Sequence, residues 1–390
     1  MEEGINLEKL RYNQLYKQYL VKQSIPKIFD VVYNLIGLHS TDYWTPYLSL
    51  FTRVGDYNPK IIFEALNSGK RLARINAFRS TNFVVHTENL ALILKALEGN
   101  YIRRTQNDSY IKNLGHQKIE DGVKKLYALL EIEGPLKATE INKRLPSLKS
   151  IFRPVLFLAM AQGLVIRASA GHARSNLTSY ATIYQWMPSI DINQYSEAEA
   201  IQKLMKKYIV LFGPVTIEDI AWCFNFTKTV VRGTIESISS ELEVLNIGEE
   251  QFFMAKSDYN KLNDLDEDSN QEIYLLPYED LFPKAYINRS WYLTEEMRTR
   301  LFPRNRRFYW PSDPIPEDSK AGGMMASGEL RPSIWRGHEI IGRWEIEGTK
   351  KKYGIVWSLY HELKKDQLAD LKSKIQDLDV FINESLAPIS

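Results

Sequence analysis

Cysteine is nearly absent from this 390-residue chain, where Cys223 stands alone. A lone cysteine excludes an internal disulfide and any cysteine-built zinc finger, and it fits a reducing compartment. Apolar residues never run to the ~18 that a membrane span requires. The opening Met1-Glu2-Glu3-Gly4 is acidic and carries no apolar signal core. The chain is therefore expected to be soluble and cytoplasmic. A net charge of either sign is also missing: 50 basic residues face 48 acidic ones, for a formal +2. The chain as a whole is no polycation, so a nucleic-acid face has to come from where the charges are placed. The histidines, His39, His86, His116, His172, His338 and His361, are scattered, with no pair at the spacing of a helical metal site. There is no phosphate-cradling Gly-x-x-x-x-Gly-Lys and no Gly-x-Ser-x-Gly. Neither a metal nor a cofactor is expected.

What the chain does have is a repeat. Gly134-Pro135-Leu136-Lys137-Ala138-Thr139-Glu140-Ile141 is echoed by Gly213-Pro214-Val215-Thr216-Ile217-Glu218-Asp219-Ile220. Each copy follows an amphipathic helical stretch (Gly122 to Leu130; Ala198 to Val210). Each leads into a polar turn, a second helical stretch and a strand-like tail. Helix, Gly-Pro break, helix, turn, helix and strand pair is how a winged helix reads in sequence, and a repeated one points first to nucleic acid.

The charge is distributed unequally between the copies. Between Ile141 and Ile190 stand six basic residues, Lys143, Arg144, Lys149, Arg153, Arg167 and Arg174, and no acid. Ile235 to Glu272 holds eleven acids against Lys256 and Lys261. Phosphate is therefore expected on the first copy and not on the second. The alternative for the basic stretch is a solvated surface whose partner acids come from elsewhere in the fold. Two further basic patches are present. Lys70, Arg71, Arg74 and Arg79 fall together without an acid, with Thr81 just beyond. Arg298, Arg300, Arg304, Arg306 and Arg307 precede Phe308-Tyr309-Trp310. Arginine beside aromatics, as at Arg306, Arg307 and Tyr309, suits phosphate contact with stacking or groove insertion; the alternative is a loop whose aromatics pack on the domain.

Along the chain, spacing predicts helices from Leu7 to Leu20, from Pro26 to a stop at Gly37, from Thr45 to Arg53, and from Pro59 to Leu66. Strands are expected at Arg71–Asn76 and Asn82–Val85, with a helix from Asn89 to Leu97 behind them. In the first repeat the recognition helix should start near Arg153, where Pro154 fits a first turn, and stop at Gly163. Val165–Ser169 and Tyr180–Trp186 should be the wing strands. From Glu272 on, Ile273–Pro277, Ser333–Arg336, Glu339–Ile346 and Tyr353–Tyr360 read as strands of a small β-barrel or sheet. Leu368, Leu371, Ile375, Leu378 and Ile382 lie on one stripe of a terminal helix, packing on that sheet or forming a coiled-coil seam. The fold class expected is α+β, with winged helices in tandem (a third in the N-terminal region), then a barrel and a terminal helix. The boundaries expected are 1–117, 118–195, 196–270 and 271–390.

In this order the patches resemble the winged-helix family that includes the AlkZ-like DNA glycosylases. Gly37-Leu38-His39-Ser40-Thr41-Asp42 is similar to that family's Gly-Leu-Gln-x-Gln/Asp motif with its following acid. Arg71 to Arg79 followed by Ser80-Thr81-Asn82-Phe83 resembles its Arg-Gly-Thr strand region. The two Gly-Pro segments resemble its tandem repeats, and Leu275-Leu276-Pro277 with Ile341-Gly342-Arg343-Trp344 its barrel. The resemblance covers nearly the whole chain. It implies damaged duplex DNA as partner and a catalytic water near the sugar C1′, with no cofactor. It also places His39 and Thr41 where the family has Gln-x-Gln or Gln-x-Asp. Imidazole can bind a water and act as a base, whereas Thr41 cannot take up a proton as Asp can. Asp42 is a substitute base, although the family's acid there is separate from the catalytic pair. The structural alternative is that His39 and Thr41 cap the helix end around Gly37.

Two readings follow for function. One is a monomeric, nucleoid-associated DNA glycosylase that removes alkylated or crosslinked bases. The other is a non-catalytic winged-helix DNA-binding protein or regulator, with a protein-interaction scaffold as a third class.

Overall fold

The structure, a computed structural model, describes residues 6–21, 26–170, 178–265, 271–287, 330–349 and 352–389. The chain divides into two compact units: Lys60–Met205 with Ile389–Ser390, and Met1–Pro59 with Lys206–Pro388. The mixed α+β class expected from sequence is present.

The Lys60–Met205 unit starts with helix Lys60–Asn67 and an antiparallel hairpin, Leu72–Asn76 on Asn82–His86, in register from Leu72↔His86 to Asn76↔Asn82. Helix Thr87–Asn107 follows. It is ten residues longer at its C-terminal end than Leu97, the limit expected from sequence, because Tyr101 and Thr105 continue its buried stripe. Asp108 caps the next helix, Ser109–Leu114, by accepting from the Ile111 amide. Helix His116–Glu133 then ends at Gly134, whose φ of +75° suits a residue without a Cβ.

The strand Leu136–Lys137, helix Ala138–Arg144 and helix Phe152–Ala161 come next, and Pro154 sits in the first turn as expected. Gly122 leaves no room for a side chain between helices His116–Glu133 and Phe152–Ala161: a Cβ there would lie 2.6 Å from Val155 Cγ2. Leu126, Leu130, Ile141, Val155 and Ala159 form the dry centre of this core. The wing strands are Val165–Ala170 and Thr178–Thr182. The second strand stops short of the expected Trp186, because the Thr182 hydroxyl accepts from the Gln185 amide and starts helix Ile183–Trp186. Within this unit the strands lie side by side in the order Asn82–His86, Leu72–Asn76, Val165–Ala170, Thr178–Thr182, Leu136–Lys137.

The other unit repeats the helix–helix–hairpin order. After Pro214, Thr216 and Asp219 form a reciprocal capping box for helix Ile217–Phe224, and helix Lys228–Ser237 follows. The hairpin Leu242–Ile247 on Glu250–Ala255 completes it, with Leu245, Phe252 and Met254 packed on Leu10 of helix Leu7–Lys17.

Further along, Ile273–Leu276, Ser333–Arg336, Glu339–Thr349 and Lys352–Leu359 form an antiparallel sheet in that spatial order. Among the described residues this sheet is open rather than the expected barrel. Among the described residues, its edge strand Ile273–Leu276 is met by side chains and not by another strand. The Thr52 hydroxyl donates to the Leu275 carbonyl at 2.6 Å and Lys374 Nζ to the Ile273 carbonyl at 2.6 Å, which leaves those edge acceptors satisfied. Helix Lys365–Val380 buries Leu371, Ile375 and Leu378 against this sheet, so the terminal stripe is a packing face.

Candidate functional site

Helix Thr45–Val54 is tied to the segment that follows the edge strand, and this tie positions the Gly37–Asp42 motif. The Thr45 hydroxyl donates to the Tyr278 carbonyl at 2.9 Å. Arg53 forms a two-pronged pair with Asp280, 2.8 Å on each prong, and the Ser49 hydroxyl adds 2.7 Å. Arg53 and Asp280 side chains are 0% and 1% exposed. Burial pushes the Asp280 carboxyl up, but the Arg53 guanidinium, the Ser49 hydroxyl and the Phe282 amide outweigh it. The carboxyl is held below the usual aspartate value.

Next to this clamp, the short strand Leu38–His39 turns the His39 ring inward. Its Nε2 lies 3.7 Å from Glu279 Oε2, and the two side chains are 3% and 5% exposed. Glu279 has a left-handed backbone, φ +57°, although it is not a glycine. Its carboxylate accepts from Lys284 Nζ at 2.7 Å and from the Leu330 amide at 2.5 Å.

The two positions of the family-like pair are thus separated in environment. His39 is buried, whereas Thr41 and Asp42 are exposed. Asp42 Oδ1 accepts from the Trp44 amide at 2.9 Å and the Thr45 amide at 3.3 Å. It holds the turn that leads into helix Thr45–Val54. Sequence reading missed Glu279, Lys284, Arg53 and Asp280. The available signal was Glu279-Asp280, two acids set between a buried strand and the apolar Leu281-Phe282.

The described members of the basic set all lie in the Lys60–Met205 unit. Arg74 pairs directly across the sheet with Arg167, so the strand of the 70–79 patch and the first repeat's wing belong to one sheet. Arg74 is only 6% exposed and serves that sheet from within. Arg167 is half-buried, with its guanidinium 5.7 Å from the Tyr180 ring centre and Nη1 3.2 Å from Met160 Sδ. Lys70 lies over the Trp186 ring at 4.8 Å. Arg71, Lys149 and Arg153 are exposed. Arg79, half-buried, occupies the hairpin turn with φ +54°, and beside it the Thr81 hydroxyl donates to the Phe78 carbonyl at 3.0 Å. Arg144 is paired with Glu133, an acid from outside the basic stretch. Arg174, Arg306, Arg307 and Tyr309 lie outside the described residues. Among the described residues no group of three His, Cys, Asp or Glu is placed to hold a metal ion, and no helix is long and apolar enough to cross a membrane.

Comparison with known proteins agrees with this layout. The family described as DNA glycosylase AlkZ-like matches residues 32–381. Among solved structures, Streptomyces sahachiroi DNA glycosylase AlkZ superposes with a TM-score of 0.76 at 16% sequence identity, covering 98% of each chain. At that identity the likeness speaks for the fold. Among curated proteins no match is found. With the family match extending over most of its length, the chain belongs to the AlkZ-like DNA glycosylase family.

Proposed function

We propose that this protein is a monofunctional DNA glycosylase that releases alkylated or crosslinked bases from duplex DNA. The observation that carries the reading is the His39–Glu279 pair, an imidazole held against a buried carboxylate within the family's motif segment. In this scheme a water oxygen bonds to the sugar C1′ as the bond from C1′ to the base nitrogen breaks. The electron pair of that bond leaves with the base, and the water proton passes to His39. An N7-alkylated purine departs as a neutral base, so the protein has mainly to stabilise an oxocarbenium-like sugar and place the water. Thr41 and Asp42, exposed next to His39 in the chain, are read as its helpers in placing the water.

The two helix–helix–hairpin repeats, 118–195 and 196–270, are read as tandem winged helices, with the 1–117 region as a divergent third. Lys70, Arg71, Arg79, Lys149, Arg153 and Arg167 are read as the phosphate-binding set, extended by Arg174, Arg306, Arg307 and Tyr309. The protein acts as a monomer, in the cytoplasm and on the nucleoid.

The test is base release from duplex DNA containing N7-methylguanine, read as alkali-labile strand breaks, for wild type beside His39→Ala. A loss of about 10²-fold or more in the variant is expected for a general base.

A second reading is favoured by a specific observation: His39 is 3% exposed, and threonine stands where the family has an amide or acid. A DNA-binding protein without this chemistry would shift the same duplex and release nothing from it.

A further inference from the structure

Glu279 is held more firmly than a surface-turn glutamate requires. Its left-handed backbone costs roughly 1–3 kcal/mol in a non-glycine residue. Such a conformation persists where the surroundings impose it, and here they do. The Glu279 amide donates to the Leu330 carbonyl at 3.0 Å while the Leu330 amide donates back to Oε1. Lys284 contacts both carboxylate oxygens, at 2.7 and 2.5 Å. On either side, Tyr278 is fixed by Thr45 and Asp280 by Arg53. The result of these constraints is one carboxylate oxygen aimed at one ring nitrogen of His39, at 3.7 Å, in a site nearly closed to solvent.

We propose that Glu279 sets the tautomer of His39, keeping the ring proton on Nε2 and leaving the lone pair on Nδ1. This rests on the reading of His39 as proton acceptor. An ionised carboxylate only accepts hydrogen bonds. A ring nitrogen facing it is therefore favoured in its N–H form and disfavoured with a lone pair. Lys284 balances the charge of Glu279, so the pair orients the ring without requiring an imidazolium. Glu279 is on this view a positioning residue, as a carboxylate is for the imidazole of a hydrolase triad.

The test is imidazole nitrogen NMR on full-length protein with labelled histidine, assigned with His39→Asn. In wild type at pH 8, His39 should show a protonated Nε2 and an unprotonated Nδ1. In Glu279→Gln the side-chain amide can donate to Nε2, and the tautomer population should move toward Nδ1–H. A protonated Nδ1 in wild type, or an unchanged pattern in a folded Glu279→Gln protein, overturns the proposal. The wild-type spectrum decides the question by itself if the variant does not fold. Base release is measured on the same samples, with a loss on the order of 10² or more expected for Glu279→Gln. A correct tautomer with no base release from wild type would sink the glycosylase reading and leave the role of Glu279 standing.

Discussion

At the residue scale, the most costly groups in the described structure are buried and charged. Removing one partner of the Arg53–Asp280 pair leaves the other charge without its counterpart in an apolar site. Asp280→Asn is expected to lower stability by about 3–5 kcal/mol, measured by urea unfolding at pH 7. Two groups also give the fold a defined response to acid. His338 is buried with its Nε2 2.6 Å from the Arg11 carbonyl, and burial lowers its pKa from 6.5 to about 3. The folded pKa lies below the unfolded one, so the unfolded chain takes up this proton first. Stability should fall as pH drops below 6.5, by up to about 1.4 kcal/mol per pH unit from this group, until the folded state protonates as well. Asp280, whose carboxyl is lowered from 3.8, withdraws its contribution only in more acid solution, as pH falls through its folded pKa. Urea midpoints at pH 7 and pH 5, for wild type and His338→Phe, separate the two: the variant should lose less over that interval. His39 illustrates how far a residue could be understood from sequence. The motif singled it out, but its partner Glu279 is 240 positions away, and no local pattern could join them.

At the scale of elements, the helices were legible because their apolar spacing and stops are local. Pro154 in a first turn, Gly134 after a last turn, and the Thr216/Asp219 box all mark ends that the structure keeps. Thr216→Ala should cost about 1 kcal/mol through loss of that cap, read by thermal unfolding against wild type. Gly122→Ala should cost about 1–3 kcal/mol by overpacking, since the new methyl group would sit on Val155 Cγ2, a stiff β-branched neighbour. A neutral outcome for Gly122→Ala would mean that helices His116–Glu133 and Phe152–Ala161 separate easily. One element was misjudged for a physical reason. Strand-like residues past Thr182 turn helical because one hydroxyl caps them. Of the barrel or sheet expected from sequence, the described residues show an open sheet, with the Leu275 and Ile273 carbonyls of its edge strand accepting from Thr52 and Lys374, far away in sequence.

At the scale of the whole molecule, charge placement carries the functional expectation. If the basic set binds phosphate, Arg153→Ala and Lys149→Ala should each flatten the log–log salt dependence of duplex binding by about 0.9. Fluorescence anisotropy across a salt series measures this, and binding insensitive to salt would remove DNA from consideration as the partner. Arg74→Ala should act differently: being buried in the sheet, it should lower stability more than it changes the salt slope.

The sequence alone determined the elements, the repeat and the asymmetry of charge. Helix periodicity, capping residues and runs of one sign are written in neighbouring positions. The tertiary structure decided which of these meet: Arg74 with Arg167, Arg53 with Asp280, and His39 with Glu279. Those encounters join segments dozens to hundreds of residues apart. They depend on backbone turns, burial and side-chain reach, which act only once the chain has folded.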